Sequence, residues 1–296
     1  MVDRWPQVFL ISDNDNMRGN GEAAEEAQGR SGRDGFHVNG LARSLAIMDL
    51  FTADCPVWTA DAIIQAHGLS RPTGYRYVRE LLATGLVIRV GAGEYSLGPR
   101  IIELDRLIRN ADPMMVHGMD VIADLVATTG CDVMLAALYG DRIVTTHQAP
   151  GLERLRLSFG RGQTLPMHRG AGSKIVIAHL KPARLARLYA PRAAAFAELG
   201  LSSLGELRTS LAAIRRAGHA VSEGELDPGL FGLAAPVFGR DGDILGCVII
   251  ALSTVRLAIT DRAALTERVT AAAAQLTGRI AGATSLPRSG QQQRAA

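Results

Sequence analysis

The stretch Ser70-Arg71-Pro72-Thr73-Gly74-Tyr75-Arg76-Tyr77-Val78-Arg79 decides how the rest of this 296-residue chain is read. Ser70 is suited to cap a helix, Pro72 falls in the first turn, where a missing N–H costs nothing, and Val78, Leu81 and Leu82 supply a stripe to bury. Arg71, Tyr75, Arg76 and Arg79 follow i, i+4, i+5, i+8 spacing, so they share the opposite sector. The stretch carries no acid before Glu80. Guanidiniums grip phosphates or guanine edges bidentately, while the hydroxyls of Ser70, Thr73 and Tyr75 and the helix N-terminus can hold phosphates. Taken alone the stretch is equally readable as a solvated helix face, so its neighbours must decide.

Upstream, Leu41, Leu45, Ile47, Met48, Leu50 and Phe51 keep helical spacing within 40–51, and a second short helix fits 59–66 with Thr59 as N-cap and Gly68 as stop. Downstream, Gly85 ends the third helix, and two strand-like runs, 86–90 and 94–97, are joined across Gly91-Ala92-Gly93, with Arg89 at the base of the hairpin. Helix, helix, helix, hairpin is the order of a winged helix-turn-helix, in which the hairpin is the wing. The predicted DNA contacts are therefore Ser70, Arg71, Thr73, Tyr75, Arg76, Arg79 and Arg89, and the expected partner is double-stranded operator DNA.

A helical connector follows over 100–109, and Pro113 interrupts the pattern before another helix reaching about residue 129. Beyond it come strand-like runs at 133–139 and 142–147 around Gly140-Asp141, a further run at 155–159, and helices at 171–179 and 204–217. Strands at 230–238 and 244–252 flank Arg240-Asp241-Gly242-Asp243, and a last helix covers 261–282. Hairpins mixed with helices predict an α+β class, with an antiparallel sheet and helices packed on it. The expected division is a disordered tail at 1–37, the winged helix-turn-helix at 38–99, a linker helix at 100–111, an effector-binding domain at 112–283 and a second disordered tail at 284–296.

Composition sets bounds without naming a partner. At 47% hydrophobic and 21% charged the chain is globular in type, and a net charge of +3 is too small to argue for nucleic acid. Cys55, Cys131 and Cys247 are odd in number and set among apolar residues, which predicts buried reduced thiols and a cytoplasmic protein. No apolar run approaches the roughly 20 residues that span a bilayer, so no membrane partner is expected.

Six separated segments carry a family resemblance. Leu41-Ala42-Arg43-Ser44-Leu45-Ala46-Ile47, Gly68-Leu69-Ser70-Arg71-Pro72-Thr73-Gly74-Tyr75-Arg76, Tyr95-Ser96-Leu97-Gly98-Pro99-Arg100, Leu155-Arg156-Leu157-Ser158, Leu165-Pro166-Met167-His168 and Leu233-Ala234-Ala235-Pro236-Val237-Phe238 are similar to the IclR regulators, over roughly 38–282. The resemblance implies a C-terminal effector domain of GAF-like α/β architecture, a homodimer or dimer of dimers, and control of genes that break down small organic acids. It also implies that Ser222, Gly232, Ile249 and Ala251 stand at ligand-lining places. Members that take very small oxo-acids carry acidic, thiol or hydroxyl groups there, so this chain is expected to offer a roomier, more apolar wall, suited to a larger or aromatic carboxylate.

The residues themselves add Arg169-Gly170-Ala171-Gly172-Ser173, a glycine-rich entry to a helix whose exposed N–H groups could bind a carboxylate, with Arg169 as the nearest cation. Glu223, Glu225 and Asp227 cluster without a His or Cys at ligand spacing, so no metal is expected, and no cofactor either. A metabolic enzyme with an appended DNA-binding domain is the alternative, with His168 and Ser173 the only tempting base and nucleophile. A ligand-independent DNA binder is a further one. With no H-E-x-x-H, G-x-S-x-G or P-loop spacing present, no catalytic residue is assigned.

Overall fold

The computed structural model describes residues 34–283, so the tail at 284–296 and all but the end of the tail at 1–37 lie outside the described residues. The chain divides into two compact units between Ile101 and Ile102. In the first, α1 (Asp34–Ala46) runs into a short 3-10 turn, Ile47–Leu50, then β1 (Trp58–Thr59), α2 (Ala60–Ala66), α3 (Arg71–Ala83), β2 (Val87–Gly91) and β3 (Glu94–Leu97). The first helix thus begins inside the segment expected to be a tail. Two glycines and an asparagine in Asp34-Gly35-Phe36-His37-Val38-Asn39-Gly40 lower helix propensity and hid its start.

The strands of this unit form a small antiparallel sheet in the order β1-β3-β2, with Trp58 opposite Tyr95 and Arg89 opposite Tyr95. Ile47, Ala60, Ile63, Tyr77, Val78, Leu81, Val87 and Tyr95 close its core. Leu82 is only half-buried, and Tyr77 and Gly74 take the burial that its position suggested.

The second unit contains the rest of α4 (Arg100–Ala111), then α5 (Pro113–Thr129), β4 (Asp132–Tyr139), β5 (Arg142–Ala149), β6 (Thr164–Leu165), α6 (Ala171–Ala178), α7 (Pro182–Tyr189), α8 (Ala193–Ala197) and α9 (Leu204–Ala217). It ends with β7 (Ala220–Glu223), β8 (Leu230–Phe238), β9 (Ile244–Ser253), α10 (Thr254–Leu257) and α11 (Arg262–Gly282). Six strands make one antiparallel sheet in the order β6-β5-β4-β9-β8-β7.

The central strands are apolar on both faces, which is why helices cover both. Val133, Leu135 and Ala137 of β4, with Val248, Ile250 and Leu252 of β9, pack under α5 and α11. Met134 and Ala136, with Cys247, Ile249 and Ala251, pack under α6, α7 and α9. Each such Val, Leu or Ile is worth about 1.5–3 kcal/mol when buried, so neither face can be left open to water. Among the described residues no helix is long and apolar enough to cross a membrane.

Two expectations are corrected here. Residues 155–159 form no strand: the Leu155 N–H donates to Asp132 Oδ2 at 3.2 Å, the Ser158 N–H to Asp227 Oδ2 at 3.0 Å, and the Phe159 carbonyl accepts from Thr145 Oγ1 at 2.8 Å. Side chains satisfy the backbone there, so Leu155, Leu157 and Phe159 can enter the core without a ladder. Cys55, expected to be buried, is exposed in the turn Thr52–Asp54 leads into, where its N–H bonds Thr52 Oγ1; Cys131 and Cys247 are buried, and all three are free thiols.

Candidate nucleic-acid interface and effector site

The helix-turn-helix is set by one glycine. A Cβ at Gly74 would lie 2.2 Å from Ile64 Cγ1, so α2 approaches α3 as closely as it does only because residue 74 has no side chain. Ser70 caps α3 with extended backbone angles, and Pro72 sits in the first turn. The Ser70 hydroxyl does not bond the helix N-terminus but donates to Thr73 Oγ1 at 2.9 Å, which leaves the first-turn N–H groups open.

Arg71, Tyr75, Arg76 and Arg79 are all exposed on one side of α3, while Gly74, Tyr77, Val78 and Leu81 face the core. Their electrostatic setting is more acidic than the helix alone suggests. Asp61, on α2, accepts from the Tyr75 hydroxyl at 3.3 Å and pairs with Arg71 at 3.6 Å. Arg76 lies 3.8 Å from Glu80, and Arg79 makes no hydrogen bond or ion pair among the described residues. Exposed pairs of this kind hold only about 0–1 kcal/mol, so an incoming phosphate can take the arginines from them. Sequence reading missed Asp61 because it belongs to a different helix, fourteen residues from Tyr75.

In the wing, Arg89 is tied back to the hairpin: its guanidinium donates to the Tyr95 hydroxyl at 3.2 Å and lies over the Tyr95 ring at 5.7 Å. A register shift between Arg89 and Gly91 twists the tip around Gly91-Ala92-Gly93.

In the second unit, the predicted effector residues gather on the α6 side of the sheet. Ser222, Gly232 and Ala251 stand side by side across β7, β8 and β9. A Cβ at Gly232 would meet the Ser222 hydroxyl at 2.8 Å and the Ala171 methyl at 3.7 Å, which brings the sheet row to the first turn of α6. Gly170 caps that helix at φ +91°, a conformation few side-chain-bearing residues adopt, and its N–H donates to Glu225 Oε2 at 2.8 Å. Glu225 also pairs with Lys174, whose ammonium bonds the Val221 carbonyl at 3.2 Å. The mouth of α6 therefore already receives one carboxylate from within the chain.

Ile249 packs directly against the first turn of α6. It is 3% exposed, and its Cδ1 lies 2.5 Å from where a Gly172 Cβ would be, so the isoleucine fills the space that Gly172 leaves. Arg169 is exposed and has no hydrogen-bond or ion-pair partner among the described residues; its charge, after burial, helps hold the His168 imidazole below its usual pKa.

The Ser173 hydroxyl is fully buried and has no partner, so it is not bonded to His168. The acidic cluster is likewise absorbed by structure, Glu225 at α6 and Asp227 at the Ser158 N–H, and no metal-holding group of His, Cys, Asp and Glu occurs among the described residues.

Residues 113–277 match the model of the bacterial transcriptional regulator IclR C-terminal domain, and residues 40–91 match the IclR helix-turn-helix domain. The chain belongs to the IclR family. As an IclR-family protein it is a DNA-binding transcriptional regulator, with a helix-turn-helix domain followed by an α/β domain built on an antiparallel sheet. It is similar to the HTH-type transcriptional regulator BhcR of Paracoccus denitrificans, at 26% identity over 269 residues covering 88% of this chain and 94% of that one.

Among solved structures it resembles a putative IclR regulator from Silicibacter sp. TM1040, with a TM-score of 0.68, 25% identity, and coverage of 83% and 98% of the two chains. An IclR homologue from Microbacterium hydrocarbonoxydans, complexed with 4-hydroxybenzoate, shares the fold at a TM-score of 0.66 and 19% identity, over 81% and 98% of the two chains.

Proposed function

We propose that this regulator's affinity for operator DNA is controlled by a small organic acid with an apolar, aromatic-sized body, bound at the first turn of α6, and that the genes it governs serve catabolism of such acids. The observation that carries this reading is the buried, unpartnered Ser173 hydroxyl in the first turn of α6, beside the Gly170 N–H that already bonds Glu225. Buried polar groups are nearly always satisfied, so this orphan hydroxyl is the atom that a ligand's polar group would satisfy in the proposed site. Gly170, Ala171 and Gly172 would supply backbone contacts, Arg169 a cation at the rim, and Ser222, Gly232, Ile249 and Ala251 a wall that is apolar apart from one hydroxyl. A fold relative complexed with 4-hydroxybenzoate is a precedent for this chemistry in this architecture.

On the DNA side, Ser70, Arg71, Thr73, Tyr75, Arg76 and Arg79 would enter the major groove, and Arg89 would reach a phosphate once released from Tyr95. A homodimer or dimer of dimers would place two such helices on two half-sites. In support, α4 buries none of its residues and leaves Ile102, Leu107 and Ile108 more than half exposed, an apolar stripe suited to a second copy.

Calorimetry on the full chain with glyoxylate, pyruvate, benzoate and 4-hydroxybenzoate tests the effector reading. An aromatic acid should bind and Ser173→Ala should weaken it roughly tenfold or more, about the value of one hydrogen bond to a charged group. Tight binding of glyoxylate or pyruvate, with none of the aromatic acids, contradicts it.

A further inference from the structure

On the opposite face of the sheet, between α4 and β5, lies a cavity of about 400 Å³ lined by Ile108, Arg109, Met115, Val144, Thr146 and Arg161 among others. Its charges do not balance. Arg161 is fixed by its Nη2, which donates to both carboxylate oxygens of Asp105 at 2.6 Å, and by a bond from its Nε to the Thr146 carbonyl at 3.2 Å. Arg109 is half-buried, lines the same cavity, and makes no hydrogen bond or ion pair among the described residues. Asp105 is the one acid lining it, against two guanidiniums.

An unpaired guanidinium held partly out of water, against Ile108, Met115 and Val144, is satisfied best by a carboxylate whose remaining surface is apolar. A neighbour reports the same excess: the His147 imidazole is held below its usual pKa by burial and then by the charges of both Arg109 and Arg161.

We infer that this cavity is a second small-molecule site, separate from the first turn of α6, which takes a monocarboxylate with an apolar body and pairs it with Arg109. Because α4 is the stretch of chain that joins the two units, a ligand here braces the joining helix directly. The cavity is large enough for a ring and a carboxylate. A ligand oxygen at Arg109 also stands near the Asp105–Arg161 pair, so binding and that pair are coupled.

The probe is benzoate, and the readout is the His147 ring signal in NMR of the full chain, assigned with His147→Gln. Saturating benzoate should raise the His147 pKa in wild type and in Ser173→Ala, because the carboxylate offsets the arginine field. In Arg109→Gln the His147 pKa should begin higher and no longer respond, with benzoate affinity at this site reduced roughly tenfold or more, the loss of one charge-assisted contact.

Val144→Phe, which fills the cavity and keeps both arginines, should abolish the response while leaving the starting pKa in place. A His147 signal that ignores benzoate overturns the inference, whether benzoate binds elsewhere or not. If benzoate still binds in a Ser173-dependent way, the effector reading survives alone. A His147 response that vanishes in Ser173→Ala and persists in Arg109→Gln also overturns it, since the α6 site would then be the source.

Discussion

At the scale of single residues, the outward side of α3, which we propose faces DNA, is a balance between four outward side chains and two nearby acids. The arginine and tyrosine positions were legible because helical periodicity alone puts Arg71, Tyr75, Arg76 and Arg79 in one sector, away from Val78 and Leu81. Asp61 was not legible, because the residue that faces Arg71 and Tyr75 comes from the preceding helix and only the packing of α2 on α3 brings it there. That acid lowers the positive potential of the face and occupies two of its donors. Asp61→Asn is therefore expected to raise DNA affinity up to about fivefold, since an exposed pair is worth at most about 1 kcal/mol. Fluorescence anisotropy with a labelled duplex measures it; unchanged or weaker binding would show that Arg71 and Tyr75 do not reach DNA. The effector residues were harder to read. That Ile249 packs into the space left by the missing Cβ of Gly172 could not be read from the sequence, because the two residues are 77 positions apart and only the packing of α6 on the sheet brings them together.

At the scale of elements, long periodic segments were legible and short or side-chain-satisfied ones were not. The helix at Leu204–Ala217 and the strand at Leu230–Phe238 match their expected limits, since each has a clear period and a glycine or capping serine at its ends. Residues 155–159 alternate like a strand, yet Asp132 and Asp227 take their N–H groups, so alternation reported burial and not pairing. The edge strands β6 and β7, of two and four residues, and the short helices α7 and α8 offer too few turns or alternations to stand out. The α2–α3 crossing depends on Gly74, which reads in sequence only as a weak helix former. Gly74→Ala should destabilise the DNA-binding unit by about 1–3 kcal/mol through overpacking against Ile64. Combining it with Ile64→Ala should cost less than the sum of the two single changes. Denaturant melts of the four proteins decide this, and strict additivity would mean that the contact does not set the crossing.

At the scale of the whole molecule, two independently cored units are joined through α4, and neither the net charge of +3 nor the composition announced a DNA-binding protein. Order and position did: three helices and a hairpin in sequence, a basic sector on the third helix, and a family match across both units. Effector control requires only that the acid bind the DNA-competent and incompetent states unequally. A coupling of about 1–3 kcal/mol corresponds to a 5–150-fold change in affinity, well within reach of one buried carboxylate. That control presupposes that α3 holds the DNA, which a salt series measures directly. Duplex selected by the wild-type protein from a random pool is titrated with wild type and with Arg71→Ala/Arg76→Ala/Arg79→Ala over a range of salt concentrations. The account predicts weaker binding for the triple variant and a slope of log affinity against log salt shallower by roughly 1 to 3, because each lost phosphate contact removes about 0.9. Equal affinities and parallel slopes would contradict it.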